Sequence, residues 1–288
     1  IKYGYPIGHA RMAKKQGDWM NETNIKTNLA GLLDYTYNPI QVSLDIPHKD
    51  LTFKGYRRKN GDVGVRNEIW IIPTVGCVNN TAKRLEKIGQ EIIGEGCDGV
   101  FAYTHPFGCS QLGDDQENTR KILASLANHP NAGGVLIVSL GCENTNVKTF
   151  KKYLGNYNES RIKFLVTQDH KDEYEEGMKL LDELAEYAGS FKRQKVSAGL
   201  LQIGVKCGSS DAFSGISANP LCGRITNHVV KCGGKAILTE VSEMFGAETR
   251  LMDRAVSEEV FQDVVELINN FKEYFMRYGQ PIDRNPCP

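Results

Sequence analysis

From about residue 51 the chain alternates between short apolar runs and amphipathic stretches. Ile69–Val75 (IWIIPTV), Gly99–Thr104, Val135–Leu140 (VLIVSL), Arg161–Thr167, Gly199–Val205 (GLLQIGV) and Ala236–Val241 are six strand candidates. Each is a continuous apolar run rather than an apolar/polar alternation, which is the pattern of strands covered on both faces. Between and after them, helical periodicity marks Thr81–Ile93, Asp115–Asn128, Asn146–Leu154, Asp172–Tyr187, Leu221–Lys231, Ala247–Arg254 and Glu258–Tyr278. Asp114 is placed to cap the second of these, and Pro130 to end it. The expected fold is α/β, a doubly wound and mainly parallel, Rossmann-like sheet with helices on both faces.

The first 50 residues lack this rhythm. Residues 1–8 suggest a strand and turn, Ala10–Lys15 a short helix, and Trp19–Asn21 a second strand. Residues 1–28 are too few to fold alone and read as the tail of a small β-rich domain, 29–50 as a linker, and 51–288 as the α/β domain. Ile1 is expected to lie within a longer protein, and Asn285-Pro286-Cys287-Pro288 to stop short of its end.

In a parallel sheet the loops after the strands gather at one edge, where α/β proteins bind ligands. Those loops hold Cys77 and Asn79; His105, Cys109 and Asp114; Cys142 and Glu143; Gln168 and Asp169; the stretch 204–220; and Glu240, Glu243 and Glu248. The stretch 204–220 is the densest in small polar residues, with Cys207, Asp211, Ser214 and Asn219 among glycines and serines. The apolar run before it reads as a buried strand. His105 suits a base or a metal ligand, with a satisfied histidine at the sheet edge as the alternative. Cys109, four residues on, is placed to share a metal with it. Glu143 follows Cys142 directly, and a charged side chain there needs a partner or an ion. Glu240 is similar, with a solvated loop carboxylate as its alternative. Arg57, Arg58 and Arg66 flank the first strand, and an arginine fork suits a substrate carboxylate.

Composition narrows the function by exclusion. The 35 basic and 35 acidic residues of this 288-residue chain balance, so nothing points to a nucleic-acid surface. No apolar run nears the roughly 20 residues of a membrane span, and the cytoplasm is the expected location. Eight cysteines match no disulfide scaffold, so reduced thiols are expected. There is no G-x-G-x-x-G after a strand, no P-loop, no G-x-S-x-G elbow and no C-x-x-C pair.

Seven stretches resemble one family: Gly61–Glu68 (GDVGVRNE), Pro73–Asn79 (PTVGCVN), Gly108–Asp115 (GCSQLGDD), His129–Gly133 (HPNAG), Gly141–Asn144 (GCEN), Ser217–Pro220 (SANP) and Glu243–Glu248 (EMFGAE). They resemble the altronate dehydratase (altronate hydrolase) and galactarate dehydratase family, to which the large subunit of sulfolactate sulfo-lyase is related. The resemblance covers essentially the whole chain. It implies a sugar-acid hydro-lyase dependent on Fe2+ or Mn2+, with residues 1–28 as the end of a SAF-type domain. Two departures stand out. Asn21-Glu22-Thr23-Asn24 occupies the place of the family's His-x-His-Asn motif, and Ser209 replaces a glycine of its Cys-Gly-Gly-Ser-Asp stretch. The family also continues beyond the motif that ends at Pro288.

Dehydrating a 2,3-dihydroxy acid requires a base for the C2 proton and an acid for the departing C3 hydroxyl. A metal on the carboxylate and hydroxyl oxygens would stabilise the ene-diolate between those steps. On that chemistry His105, Glu143 and Glu240 are the expected acid–base groups, and His105, Cys109, Cys142 and Glu143 the expected metal ligands. Arg66, Asn79, Asp211, Ser214 and Asn219 are expected to bind substrate, Arg66 through the carboxylate. The thiols of Cys77, Cys109, Cys142 and Cys207 offer an alternative, an iron–sulfur cluster. D-altronate is the expected substrate. Galactarate, sulfolactate, or a non-catalytic binding role are the alternatives, and a homo-oligomer is compatible with any of them.

Overall fold

The computed structural model describes residues 8–21, 23–29, 31–44, 46, 50–208 and 213–282. By its contacts the chain divides into two compact units, Thr52–Leu200 and the combination of Ile1–Leu51 with Leu201–Pro288.

In the described part of residues 1–51, β1 (Gly8–Ala10) and β2 (Ile25–Thr27) pair antiparallel. The expected helix at 10–15 does not form, and the second strand lies later than Trp19–Asn21. Trp19 is instead exposed. Two three-residue strands do not by themselves identify a SAF domain.

The unit 52–200 starts with β3 (Thr52–Arg57), β4 (Val63–Gly64) and β5 (Glu68–Pro73), followed by α1 (Asn79–Ile92) and β6 (Val100–Ala102). It continues through α2 (Gly113–Asn128), β7 (Ala132–Ser139), α3 (Val147–Leu154), β8 (Ile162–Val166), α4 (Glu173–Gly189) and β9 (Gln194–Ser197). Its main sheet is fully parallel, in the order β6-β5-β7-β8. A smaller antiparallel sheet, β4-β3-β9, was not foreseen. Its strands are mixed and polar (TFKGYR, QKVS), so they carry no apolar run to announce them.

The two faces of the parallel sheet make two cores. Ile69, Ile71, Leu136, Val138 and Leu165 meet α1 and α4 through Leu85, Leu181 and Leu184. Trp70, Ile72, Val135, Ile137 and Ile162 meet α2 and α3 through Leu123, Ala127, Phe150 and Leu154. Successive residues of β5 and β7 therefore serve opposite faces, and all eight residues of β7 are buried. This double burial is why the runs are continuously apolar; each large side chain so enclosed contributes about 1.5–3 kcal/mol. Helices α1 and α4 touch closely at Gly177, where a Cβ would come within 2.6 Å of Leu85 Cδ2.

Helix ends follow local chemistry. Asn146 and Asp172 cap α3 and α4, accepting from the backbone N–H of Thr149 and of Tyr174 and Glu175. Asp114 does not cap α2. Leu112 holds that position and Asp114 sits in the first turn, where its charge faces the positive end of the helix dipole.

In the other unit, β10 (Gln202–Val205) and β11 (Lys235–Leu238) pair in parallel around α5 (Ala218–Lys231), followed by α6 (Glu248–Met252) and α7 (Glu258–Arg277). The fifth and sixth expected strands thus form their own two-stranded sheet instead of joining the other four. β10 is half exposed rather than buried, since two strands have too little partner surface to cover an apolar run.

The core of this unit contains a charge cluster. Tyr35, from the expected linker, donates its hydroxyl proton to Glu248 Oε1 (2.7 Å). Lys272 Nζ lies 3.0 Å from both Glu248 Oε1 and the Tyr35 oxygen. Glu248 and Lys272 are only 4% and 1% exposed, and the rings of Phe245 and Tyr35 lie 5.4 and 5.8 Å from the ammonium. Burial raises the Glu248 pKa, but its own backbone N–H, Tyr35 and Lys272 outweigh that and hold it below the usual range. Burial and the adjacent carboxylate push the Tyr35 hydroxyl well up.

Removing one partner of such a pair leaves the other charge stranded in a dry interior. Lys272→Met is expected to cost about 3–5 kcal/mol in denaturant unfolding, and Glu248→Gln in the same background to recover part of it. A loss under about 1 kcal/mol would overturn this account of the core. Because the folded Glu248 pKa is depressed, its contribution is present above the unfolded value and disappears as pH falls through the folded one.

Candidate active site at the carboxyl edge of the parallel sheet

The order β6-β5-β7-β8 reverses direction between β5 and β7. From β5 the chain passes through α1 on one face to β6; from β7 it passes through α3 on the other face to β8. The connections that leave β5 and β7 therefore run to opposite faces, although the strands stay paired to Pro73 and Val138, and the crevice between those connections is where α/β sheets bind ligands. The segments Thr74–Cys77 and Leu140–Glu143 border it.

A carboxylate spans this crevice. Glu143 Oε1 accepts from Thr74 Oγ1 (2.6 Å), Ser139 Oγ (2.5 Å) and the Leu140 N–H (3.2 Å), while Oε2 accepts from the Gly141 N–H (2.7 Å). Glu143 is 2% exposed. Burial raises its pKa, but the hydroxyls of Ser139 and Thr74 and the backbone N–H donors more than offset this, and the group is held below the usual range as an anion. The turn that aims these amides at it requires Gly141, whose φ of 123° disfavours any side chain.

His105 lies in the loop after β6. Its Nε2 is 2.9 Å from the Pro73 carbonyl oxygen and its Nδ1 is 3.3 Å from the Phe107 N–H. A carbonyl can only accept, so Nε2 carries the proton and Nδ1 is the basic nitrogen. The ring stacks on Phe107, with centroids 5.6 Å apart. Asn79, at the start of α1, donates through Nδ2 to the His105 carbonyl (2.8 Å), and its buried Oδ1 has no partner.

The expected ligands do not assemble as a metal centre. Glu143 is saturated by donors, and Nε2 of His105 is engaged. Cys77, Cys109 and Cys142 are exposed thiols on three separate loops. Among the described residues no three His, Cys, Asp or Glu side chains are grouped as a metal would need. As arranged, this donor set fits neither a mononuclear iron or manganese ion nor a cluster.

The cleft beside Glu143, lined by Thr74, Phe107, Cys109, Gln111 and Asn144 among others, holds about 10 Å3, room for about one water. A six-carbon acid needs more than this. The cation nearest by hydrogen bonding is Arg120 of α2, which donates to Thr145 Oγ1 (3.2 Å) and the Asn144 carbonyl (3.1 Å).

Of the remaining expected residues, Arg66 lies at the other edge of this sheet and Glu240, Ser214 and Asn219 belong to the other unit. Arg66 precedes β5, at the amino end of the sheet, where it is 54% exposed and paired with Glu68 (2.9 Å). Glu240, in the other unit, accepts from the Cys207 N–H (2.7 Å) and lies 4.0 Å from Lys206 Nζ. Ser214 and Asn219 sit just before and within the first turn of α5, where the Asn219 N–H donates to the Ser214 carbonyl. Asp211 lies outside the described residues. The six loops expected on one edge therefore divide between two sheets, four and two.

Two family descriptions match the chain: "D-galactarate dehydratase/Altronate hydrolase, second domain" over residues 55–189, and "D-galactarate/Altronate dehydratase, C-terminal" over 198–288. The chain belongs to this family. It is 50% identical to an altronate dehydratase of Bacillus subtilis (strain 168) and 45% identical to an altronate dehydratase of Escherichia coli (strain K12). Both matches cover all of this chain, and 58% and 59% of those proteins. A galactarate dehydratase (L-threo-forming) of Escherichia coli (strain K12) is 28% identical over the whole chain and 58% of its own length. The chain thus spans rather more than half the length of these curated relatives.

Sequence reasoning singled out Glu143 but not the hydroxyls that hold it. Thr74 and Ser139 sit inside apolar runs, and a lone hydroxyl at a strand end is a weak signal unless its partner is known. Thr74→Val is expected to cost about 1–3 kcal/mol by leaving one lone-pair site of a buried carboxylate unmet. Glu143→Gln should cost at least as much, because its amide would turn donors toward donors. Amide exchange at Leu140 and Gly141 should quicken in both variants; unchanged protection there would show that the carboxylate does not brace the turn.

Proposed function

We propose that this chain is the part of a sugar-acid hydro-lyase that carries its acid–base histidine, and that the substrate is D-altronate, leaving as 2-keto-3-deoxy-D-gluconate. The observation that carries the reading is 50% and 45% identity, over the whole chain, to two altronate dehydratases, against 28% to a galactarate dehydratase.

The geometry suggests roles. His105 Nδ1 is the unprotonated nitrogen, held only by a long contact to an N–H, and is positioned to take the C2 proton. The Pro73 carbonyl fixes the tautomer by accepting from Nε2. Loss of the C3 hydroxyl with that proton gives an enol, which becomes the keto acid. Glu143 acts as a positioning residue: it ties the ends of β5 and β7 so that the turns after them keep a fixed spacing. Arg120 takes the part first given to Arg66, offering a cation at the carboxyl edge to the substrate carboxylate. The 10 Å3 cleft calls for further residues to complete the substrate pocket.

The test is an assay of the intact protein, reduced, with ferrous or manganous ion supplied and altronate or galactarate offered separately. Keto-acid product from altronate is expected, and His105→Asn should lower kcat by about 10²–10⁴-fold with an unchanged unfolding midpoint. No product from altronate would overturn the reading, and a His105→Asn enzyme with full turnover would overturn the role of that residue.

A further inference from the structure

A second cleft lies at the opposite edge of the same parallel sheet. It is set at the amino ends of β7 and β8, between the β3–β4 turn and the end of α4, and has a volume of about 370 Å3. That is within the range of small-molecule sites and far above the cleft beside Glu143. Three cations line it, Arg58, Lys59 and Arg161, against one lining carboxylate, Asp62.

None of the three cations forms an ion pair among the described residues. Arg58, only 7% exposed, donates from Nε to the Pro130 carbonyl (2.7 Å), from NH1 to Asn67 Oδ1 (2.7 Å) and from NH2 to the Arg66 carbonyl (3.0 Å). Arg161 donates from Nε to the Ala132 carbonyl (3.1 Å) and from NH2 to the His129 carbonyl (2.8 Å). These acceptors are neutral dipoles. They orient both guanidiniums without supplying a counter-charge, and of the five N–H donors on each, two remain on Arg58 and three on Arg161 beyond these bonds. Burial, and then the nearness of Arg161, pushes the Arg58 pKa down to about 10, and burial lowers that of Arg161. A buried guanidinium and a half-buried one, held close together without an ion partner, are costly to maintain. Asp62, whose Oδ2 accepts from Asn60 Nδ2 (2.7 Å), offsets part of the Arg161 charge, and Asp98 part of the Arg58 charge, but neither forms an ion pair with them. The mouth of the cleft adds neutral hydrogen-bonding groups, Asn128, Asn156 and the Asn158–Tyr187 pair (3.1 Å).

We propose that this amino-edge cleft is a binding site for a small oxyanion-bearing molecule, a carboxylate or a phosphate ester, whose acid group is met by Arg161 and Lys59. The planar donor fork of Arg161 suits two oxygens of one acid group, and Lys59, exposed and 5.3 Å from the Tyr187 ring, adds a mobile charge at the mouth. The amides and Tyr187 offer partners for hydroxyls on the rest of the ligand. The site is independent of the reaction proposed for the other edge, since it shares no residue with it.

Calorimetric titration of the intact protein with inorganic phosphate and, separately, with gluconate tests this. Saturable binding of at least one probe is expected, weakened by about tenfold or more in Lys59→Met and in Arg161→Met, and retained in His105→Asn. Binding of phosphate alone identifies phosphate esters as the ligand class, and binding of gluconate alone identifies carboxylates. Lys59 is exposed, so Lys59→Met should keep the wild-type unfolding midpoint and carries the test should Arg161→Met fold poorly. Failure of both probes to bind, or binding unchanged in Lys59→Met, overturns the proposal.

Discussion

A carboxylate that is 2% exposed has to find its donors within the fold, and Glu143 finds them at the one place where the parallel sheet changes direction. Four donors from two strand ends and one turn converge on its two oxygens. Leaving such a group unmet would cost several kcal/mol, so the ends of β5 and β7 are bound to one geometry. The crevice is held open by this anion in the way a keystone holds two sides of an arch. Saturation has a chemical consequence. A carboxylate already accepting four hydrogen bonds, with its pKa lowered by them, is a poor proton carrier at neutral pH.

The alternation of apolar runs and amphipathic stretches made the four-stranded sheet legible. Strand and helix positions there agree with expectation to within about three residues, because burial on both faces confines polar residues to the ends of β5 and β7, at Glu68 and Ser139. The same logic failed for Gly199–Val205. An apolar run shows what a segment can bury, whereas the burial achieved depends on how many neighbours it finds, and β10 has only β11 and α5. The antiparallel strands β3, β4 and β9 fell below notice for the opposite reason, being polar and held by main-chain pairing.

The candidate site was legible in part. Glu143 drew attention because a charge beside a buried run needs a partner, and it has several. Which partners could not be read, since Thr74 and Ser139 are separated from it by 69 and 4 residues and look like ordinary strand hydroxyls. The cysteines stood out by their placement after apolar runs, yet Cys77, Cys109 and Cys142 are exposed on separate loops. Arg66 was drawn toward the substrate because it neighbours the first strand, but it precedes that strand, and in a parallel sheet the two ends are different environments. Arg58, named for the same reason, proves to be the buried one.

Three buried charge systems in this chain are compensated in three ways. Glu143 is met by donors without a cation, Glu248 by Lys272 and a tyrosine hydroxyl, and Arg58 with Arg161 mainly by carbonyl oxygens, with the Tyr56 and Phe191 rings beside Arg58. In the first, every acceptor oxygen is used, and in the second, opposite charges meet. The third differs in kind, because carbonyl dipoles orient two like charges without cancelling them, and the shared sign works against both. Strengthening the hydrogen bonds to backbone would not remove that repulsion. Asp98 and Asp62 offset it in part without pairing, and the open N–H groups of Arg161 set where a further negative charge would sit. The polar residues of the carboxyl edge close around an internal anion, while those of the amino edge stay open toward an external one.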